Sequence, residues 1–252
     1  MFMRLVQVKI KMERLLEFVR LYEEVIIPEL EKTNGCQYGG LVQGVQHEDE
    51  GISLTLWDSQ ADAEQYEKSG AYQRLVEKSQ PFFSDSSEWK VQLSKDLQLE
   101  YTPVPTTPEV KRYADSSSVE TAPLDKGKSP SMYLRIVSMK VRPDKNEEFR
   151  AIYNQEIIPA LRGVRGCRYA FLTESIRETT EWLSVTFWNG IEEAREYESS
   201  GSFRTLVEKL KPTFSGLYQW KMDFDDESRK QTVTSEDLSV SAYKVVIGKA
   251  FH

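Results

Sequence analysis

The sequence predicts an α+β fold built from two tandem copies of one β-α-β-β-α-β module. The first observation is a repeat: residues 54–78 (LTLWDSQADAEQYEKSGAYQRLVEK) return as residues 185–209 (VTFWNGIEEAREYESSGSFRTLVEK). At the same offset, 32 of the 90 positions from Arg4 to Leu93 are identical to their counterparts from Arg135 to Phe224. Similarity at a fixed spacing indicates duplication. The second observation is that strand-like and helix-like periods follow one another in the same order in both copies.

Each copy begins with a strand and an amphipathic helix. Val6, Val8 and Ile10 alternate with residues on the other face, which is typical of a strand over residues 4–10. A helix is predicted from about residue 13 to residue 32, because large apolar side chains recur every four residues. These are Phe18, Tyr22, Ile26 and Leu30, repeated as Phe149, Tyr153, Ile157 and Leu161. Pro28 and Pro159 are expected to kink or tighten its last turn.

The remaining elements complete the module. Strands are predicted at residues 36–46 and 52–57, and a second helix at 60–78, interrupted at Ser69-Gly70 and ended by Pro81. Glu88 to Leu93 is predicted to be the fourth strand. This order is that of the ferredoxin-like unit, whose sheet carries helices on one face only. Two copies can cover each other's bare face, so we expect an intramolecular dimeric α+β barrel.

The repeat divides the chain into four segments: a first module (1–93), a connector (94–131), a second module (132–224) and a tail (225–252). The connector contains PVPTTP, SSS and KGKSP, so its middle is predicted to be a linker without regular structure. Alternation of Leu97, Leu99 and Tyr101 predicts an extra strand there, and Ala242–Phe251 predicts another in the acidic tail. We expect both strands to reach the other module and hold the pair together.

Composition limits the function classes. The net charge of −7, without a cluster of basic residues, argues against a nucleic-acid partner. No apolar run is long enough to span a membrane, and no signal-like segment begins the sequence, which predicts a cytoplasmic protein. Cys36 and Cys167 occupy equivalent positions and are predicted to be reduced and buried. His47 and His252 are interpreted as solvated, and no ligand spacing predicts a metal site or a bound cofactor.

Three motifs carry a resemblance to a known family. They are IIPELEKTNGCQY and IIPALRGVRGCRY at the end of the first helix, Leu54–Trp57 and Val185–Trp188 on the third strand, and the Tyr-x-x-Ser-Gly-x-aromatic break from Tyr66 and Tyr197. Both modules resemble the antibiotic biosynthesis monooxygenases, which are dimeric α+β barrels. The resemblance implies a ligand cavity between the helices and the sheet of each module. It also implies activities such as cofactor-free oxygenation of quinols and polyketide aromatics, haem degradation, or isomerisation.

The sequence departs from the family at its histidines. Many active members carry one nine residues after the third-strand Trp and another five residues later. This chain has Tyr66 and Ala71 at those positions in the first copy, and Tyr197 and Ser202 in the second. The haem-degrading members place a histidine where this chain has Val76 and Val207, and they carry a first-strand Asn that is missing here. Without an imidazole to ligate iron, haem degradation is not expected.

An aromatic set remains as the candidate site. Its members are Phe18, Tyr22, Trp57, Tyr66 and Tyr72, with Phe149, Tyr153, Trp188, Tyr197 and Phe203. One interpretation is ordinary core packing. The other is a pocket for a small aromatic or quinone-like ligand, with Tyr66 and Tyr197 orienting or deprotonating it. Tyr22 and Tyr153 would then bind its oxygens, and Trp57 and Trp188 would wall the site.

Two functions remain open from the sequence. The first is a cofactor-independent monooxygenase, and the second is a binding protein that has kept the pocket without catalysis. The copies also differ in bulk, since Gly39-Gly40 is matched by Ala170-Phe171 and Gly51 by Trp182. These differences predict a roomier first module and a filled second one. Whether the pseudo-dimer associates further is left open.

Overall fold

The computed structural model describes residues 1–93, 99–105, 108–120, 127–128, 132–214 and 238–251. Within these residues the strands are β1 Phe2–Lys9, β2 Cys36–Gly44, β3 Glu50–Trp57, β4 Asp85–Leu93, β5 Leu99–Pro105, β6 Glu109–Glu120, β7 Gly127–Lys128, β8 Tyr133–Lys140, β9 Cys167–Ser175, β10 Glu181–Trp188 and β11 Leu238–Ala250. The α-helices are α1 Leu15–Leu21, α2 Ile27–Glu31, α3 Gln60–Lys68, α4 Ala71–Ser79, α5 Asn146–Ile152, α6 Ile158–Arg162, α7 Ile191–Ser199 and α8 Ser202–Leu210. None of the helices in these ranges is both long and apolar enough to cross a bilayer.

The predicted first helix of each module contains a π-helical turn. Tyr22–Ile26 joins α1 to α2, and Tyr153–Ile157 joins α5 to α6. The turn precedes Pro28 and Pro159, which cannot donate a backbone hydrogen bond and whose rings press on the preceding turn. The amide of Ile27 donates to Tyr22 O, five residues earlier, so this turn contains one residue more than an α-helical turn. The extra residue accommodates the proline. The expected distortion is therefore a widened turn, and it begins at the site tyrosine.

The predicted second helix is broken in two at a glycine. Gly70 has φ of 76° and Gly201 has φ of 79°, in the left-handed region that glycine adopts most readily. The chain thereby changes direction between α3 and α4, and between α7 and α8. Tyr66 lies before this break and Tyr72 after it, and both line the same cavity.

One closed barrel of eight antiparallel strands joins the two modules. The order is β2-β3-β1-β6-β9-β10-β8-β11, and pairing of β11 with β2 closes it. β6 pairs with β1 of the first module and β9 of the second, while β11 pairs with β8 and β2. The prediction that the C-terminal strand reaches the other module is therefore confirmed. Closure leaves no open edge in this ring of strands.

The predicted pairing of two other strands was wrong. Glu88–Leu93, expected as the fourth strand of the first module, lies within β4, which pairs instead with Leu99–Pro105 in a separate two-stranded sheet. That second strand does not reach the other module either, and Leu97 lies outside the described residues. The edge of β1 is taken by Glu109–Glu120. Alternation shows that a segment is extended, but it carries no information about which edge the segment joins.

The connector was also expected to lack regular structure in its middle, and β6 corrects that expectation. Its sequence is polar and contains three consecutive serines, so little apolar burial favours it. The barrel instead offers β6 a hydrogen-bond partner along its whole length, because residues 109–114 pair with β1 and residues 113–120 pair with β9. Tyr113, at 1% exposure, anchors it in the core.

Three buried clusters form the core. The barrel interior is filled by side chains from both modules, such as Leu5, Leu54, Val185 and Phe187. Each of the other clusters lies between one module's helices and the outer face of its strands. Alternate residues of β1 serve both layers, because Leu5 points into the barrel and Val6 towards the helices.

A close contact in the barrel predicts a sensitive glycine. Gly248 on β11 pairs with Gly40 on β2, and the Tyr38 side chain lies across both. A Cβ at Gly248 would overlap the Tyr38 hydroxyl and lie 3.0 Å from Tyr38 Cζ. We expect Gly248→Ala to lower the free energy of unfolding by about 1–3 kcal/mol, measured by urea denaturation.

Removing the overlapping hydroxyl tests the cause of that loss. Tyr38→Phe in the Gly248→Ala background should recover part of the stability. Gly163→Ala is the control, because a Cβ there meets its nearest atom at 3.5 Å and the backbone has a negative φ. Equal losses in the single and double variants would contradict the steric explanation.

Candidate functional site

Each module has a cavity between its helices and the outer face of its sheet. The first has a volume of about 50 Å³ and the second about 30 Å³. A water molecule needs on the order of 10–15 Å³ of such volume, so each cavity has room for only a few water molecules. The walls are mainly apolar, with a small number of polar groups that come from equivalent positions in the two modules.

Tyr22 and Tyr153 stand at the start of the π-helical turns and line the cavities, as predicted. The Tyr22 hydroxyl is 3.0 Å from Gly40 O and 2.8 Å from Ser53 Oγ. Because a carbonyl can only accept, the phenol donates its proton there and accepts from Ser53. Tyr153 donates to Ser184 Oγ at 2.6 Å. Both phenolic protons are therefore used inside the protein, and burial raises the pKa of both tyrosines.

Tyr66 and Tyr197 also line the cavities, but their hydroxyls are free. Neither makes a hydrogen bond to a residue in the described part of the chain, although both rings are almost fully buried. Burial raises the pKa of Tyr66, and it raises the pKa of Tyr197 to about 12. At neutral pH these phenols are hydrogen-bond donors and very weak bases. They suit orienting a ligand and do not suit removing its proton.

The two predicted tryptophan walls lie behind the tyrosines. The Trp57 ring packs at 5.1 Å from that of Tyr66, and Trp188 at 5.2 Å from that of Tyr197. Each indole donates to a threonine, with Trp57 Nε1 2.9 Å from Thr55 Oγ1. Neither tryptophan lines a cavity. They pack against the tyrosine rings from outside the cavity linings.

The other predicted aromatics divide between cavity and core. Phe18 and Tyr72 line the first cavity, and Phe203 lines the second. Phe149 does not, because it packs at 5.1 Å on Trp182 within the helix layer. Some members of the aromatic set therefore line a cavity and others only pack in the core, while ligand binding by the lining members stays a prediction.

A buried arginine is the main feature that the aromatic pattern does not reveal. Arg4 on β1 is 2% exposed and lines the first cavity, and Arg135 on β8 is its counterpart in the second. Arg4 Nε donates to Glu67 Oε1 at 2.7 Å, and its guanidinium lies 4.0 Å above the Tyr72 ring. Its Nη2 is buried and has no acceptor among the described residues. The cavity therefore contains a positive group with an unused donor.

The larger cavity is in the first module, as expected, but other residues cause the difference. Phe171 fills the barrel interior, and Trp182 packs on Phe149, so neither lines the second cavity. The lining differs instead where Val8 is replaced by Met139 and Ser79 by Leu210. These longer side chains occupy space that is open in the first module. Phe171 lies on the barrel-facing side of β9, whereas Trp182 lies on the helix-facing side of β10 but packs on Phe149 outside the cavity lining.

Comparison with known proteins places the chain in a family. A profile of antibiotic biosynthesis monooxygenases matches residues 1–78 and 132–209. The chain belongs to this family. No curated protein matches the sequence significantly.

Solved structures related to this monooxygenase family cover the whole chain at low identity. A candidate monooxygenase from Fusobacterium nucleatum is 9% identical with a TM-score of 0.69, covering 99% of this chain and 94% of its own. One from Lactobacillus acidophilus is 10% identical with a TM-score of 0.65, covering 99% and 96%. An anthrone oxidase-like protein is 13% identical with a TM-score of 0.57, covering 99% and 93%. At this identity the likeness concerns the fold.

Family membership directs attention to the positions without histidine. Val76 and Val207, where the resemblance expects a haem-ligating imidazole, line the two cavities and present hydrocarbon to them. Across the described ranges, no group of three or more His, Cys, Asp and Glu side chains is arranged to hold a metal ion. Cys36 and Cys167 are buried and form no disulfide, and burial raises the pKa of each thiol to about 12.

A signal for the missed arginine does exist in the sequence. Arg4 continues the alternation of Val6, Val8 and Ile10, so it lies on the buried helix-facing side of β1. A charge on such a face is costly unless it is paired or used. Four polar residues of the site are identical at the repeat offset, namely Arg4, Ser53, Thr55 and Glu67 with Arg135, Ser184, Thr186 and Glu198.

Proposed function

We propose that this chain is a cofactor-independent monooxygenase of the antibiotic biosynthesis type, acting on a small aromatic or quinol-like substrate. The observation that carries the proposal is the unused Arg4 Nη2 in an apolar cavity, beside the free hydroxyl of Tyr66. Apolar walls with a few convergent polar groups suit a flat ring that bears oxygen atoms. The ring is larger than the cavity as it stands, so binding requires side chains such as half-buried Tyr72 to move outward.

The chemistry needs no reductant besides the substrate. A quinol reacts with O₂ to give a hydroxyquinone and water, so that one oxygen atom enters the product and the other leaves as water. All the electrons come from the ring. The slow step is transfer of an electron from the ring to O₂, and an ionised ring hydroxyl makes that transfer easier. A positive group beside the forming oxyanion lowers the cost of ionisation.

The roles of the cavity residues in this reaction differ from those that the sequence predicted for the tyrosines. Arg4 stabilises the ionised oxygen, and Tyr66 donates a hydrogen bond that orients the ring. Tyr22 supports the wall, because its proton is already bound to Gly40 O. The proton lost by the substrate passes to water, since the raised pKa of Tyr66 makes it unable to act as the base.

Oxygen uptake with a panel of hydroquinones, naphthohydroquinones and anthrones tests the proposal. Anthrones are included because an anthrone oxidase-like protein shares the fold. We expect uptake above autoxidation for at least one compound, with a product that is one oxygen atom heavier and two hydrogens lighter, or for an anthrone the corresponding quinone. Tyr66→Phe should lower kcat/KM about tenfold, because one orienting hydrogen bond is lost. Chelators in the assay exclude trace-metal oxidation.

A specific observation also favours a non-catalytic binding protein. Burial raises the pKa of Tyr22, Tyr66, Tyr153 and Tyr197, so none of these four phenols is suited to act as a base at neutral pH. A protein that binds the same ligand without turnover would need only the donors and the apolar walls. It would bind members of the panel and show no uptake above autoxidation with any of them. That result would replace the monooxygenase proposal.

A further inference from the structure

Beside the first cavity, two arginines face each other across neighbouring strands, although only Arg4 lines the cavity. Arg4 on β1 lies directly opposite Arg112 on β6, and like charges in register across two strands destabilise a sheet. Glu67 relieves the repulsion, since its Oε1 accepts from Arg4 Nε and its Oε2 from Arg112 Nη2, both at 2.7 Å. One carboxylate thus serves two guanidinium groups. The cluster carries a surplus of one positive charge.

Among the described residues the second module lacks that surplus, although Arg135 Nη2 is buried without an acceptor there, as Arg4 Nη2 is in the first module. Arg135 donates to Glu198 Oε1 at 2.5 Å, but the residue opposite Arg135 on β11 is Ala242. One cation and one carboxylate cancel. The asymmetry arises because β6 comes from the connector and β11 from the tail, which are not copies of each other. Glu64 also interacts electrostatically with Arg112, but it pairs with Lys68, and Arg195 in the second module pairs with Glu192, so each cluster gains a neutral pair.

We infer that the first module alone binds the ligand, and that the ligand is a phenolate or enolate bound by Arg4. Arg112 supplies a second positive charge for Glu67, so that the charge of Arg4 is available to the ligand. The inference rests on the proposed site and names its ligand class. Arg4 Nη2 provides the hydrogen bond, because Nε is committed to Glu67. Arg112 neutralises the remaining charge of Glu67 and does not reach the cavity lining. Arg112 therefore acts on the ligand indirectly, through Glu67 and Arg4, as a positioning residue. The smaller, neutral second cavity is a structural copy.

Titration with 4-nitrophenol tests the inference on the full chain without turnover. Absorbance of the phenolate reports the ionisation of the bound probe directly. We expect one probe per chain, with its pKa lowered by about one unit or more, equivalent to at least tenfold preference for the phenolate. The uncharged analogue 4-nitroanisole has a similar ring and should bind at least tenfold more weakly.

Matched variants assign the effect to one module. Arg4→Met should remove the shift in the probe's pKa, and Arg112→Met should weaken phenolate binding about tenfold. Arg135→Met should leave binding unchanged. The Arg112 side chain is 28% exposed, so Arg112→Met is expected to fold. Its effect on phenolate binding tests the inference if Arg4→Met does not fold. Two bound probes per chain, an unshifted pKa, or equal losses in the Arg4 and Arg135 variants would overturn the inference.

The two proposals fail separately. Quinol-dependent oxygen uptake without selective nitrophenolate binding would overturn the anion site and leave the monooxygenase. Selective binding without uptake for any quinol would overturn the monooxygenase and leave the anion site.

Discussion

Deleting residues 238–252 is expected to abolish cooperative folding. β11 pairs along both edges, with β8 of the second module and β2 of the first, and it places Tyr243 and Ala250 in the shared core. Without it the barrel has two open edges and an uncovered interior. Native domains are stable by only about 5–15 kcal/mol, and the loss of a strand between two others is larger than single substitutions produce. Urea denaturation followed by tryptophan fluorescence should show no sigmoidal transition.

A matched deletion separates loss of closure from loss of chain length. Residues 85–105 contain β4 and β5, which pair with each other in a sheet separate from the barrel. Replacing them with a flexible Gly/Ser segment of equal length should leave the urea midpoint nearly unchanged. A synthetic peptide of residues 238–252 should restore a transition to the truncated chain. A truncated protein that remains monomeric with the original midpoint would show that β11 does not close the barrel.

The sequence predicts the modules well because each depends on local periodicity and on the repeat. The apolar stripe of Phe18, Tyr22, Ile26 and Leu30 places α1, the π turn and α2 on a sheet wherever that sheet lies. The partner of a strand is a different matter, because a backbone edge accepts any extended segment of suitable length. Asp85–Leu93 and Glu109–Glu120 both follow the first module, and only the closed barrel selects the second.

The site was predictable in part for a related reason. Tyr22, Tyr66 and Tyr72 line the first cavity because helix spacing and the glycine break determine where they point. The hydroxyl of Tyr22 is engaged by Gly40 and Ser53, which lie on strands distant in sequence, so its availability could not be predicted. The cluster around Glu67 depends on Arg112 from the connector, whose strand could not be placed before the barrel was known.

Glu67→Gln is expected to cost about 3 kcal/mol of stability at neutral pH, the scale for breaking a buried ion pair. The substitution keeps the size of the side chain and removes the negative charge that offsets the repulsion between the two guanidinium groups. Arg4 is 2% exposed, so water does not replace the lost carboxylate. Glu198→Gln is the matched control and should cost less, because no second arginine faces Arg135 and Glu198 is 42% exposed.

The pH dependence identifies the carboxylate as the cause. Burial opposes ionisation of Glu67, but hydrogen bonds from Arg112 and Arg4 outweigh it, and the pKa of the carboxyl is lowered in the folded protein. A group with a lowered folded pKa stabilises the protein fully above its unfolded pKa, ~4.3 for glutamate, and loses that contribution as pH falls through the folded value. The stability difference between wild type and Glu67→Gln should therefore be constant near neutrality and shrink below about pH 4. Other carboxylates with lowered pKa, such as Glu17 and Glu64, are present in both proteins and cancel in that difference. A difference that persists unchanged to low pH would mean that the glutamine disturbs packing rather than charge.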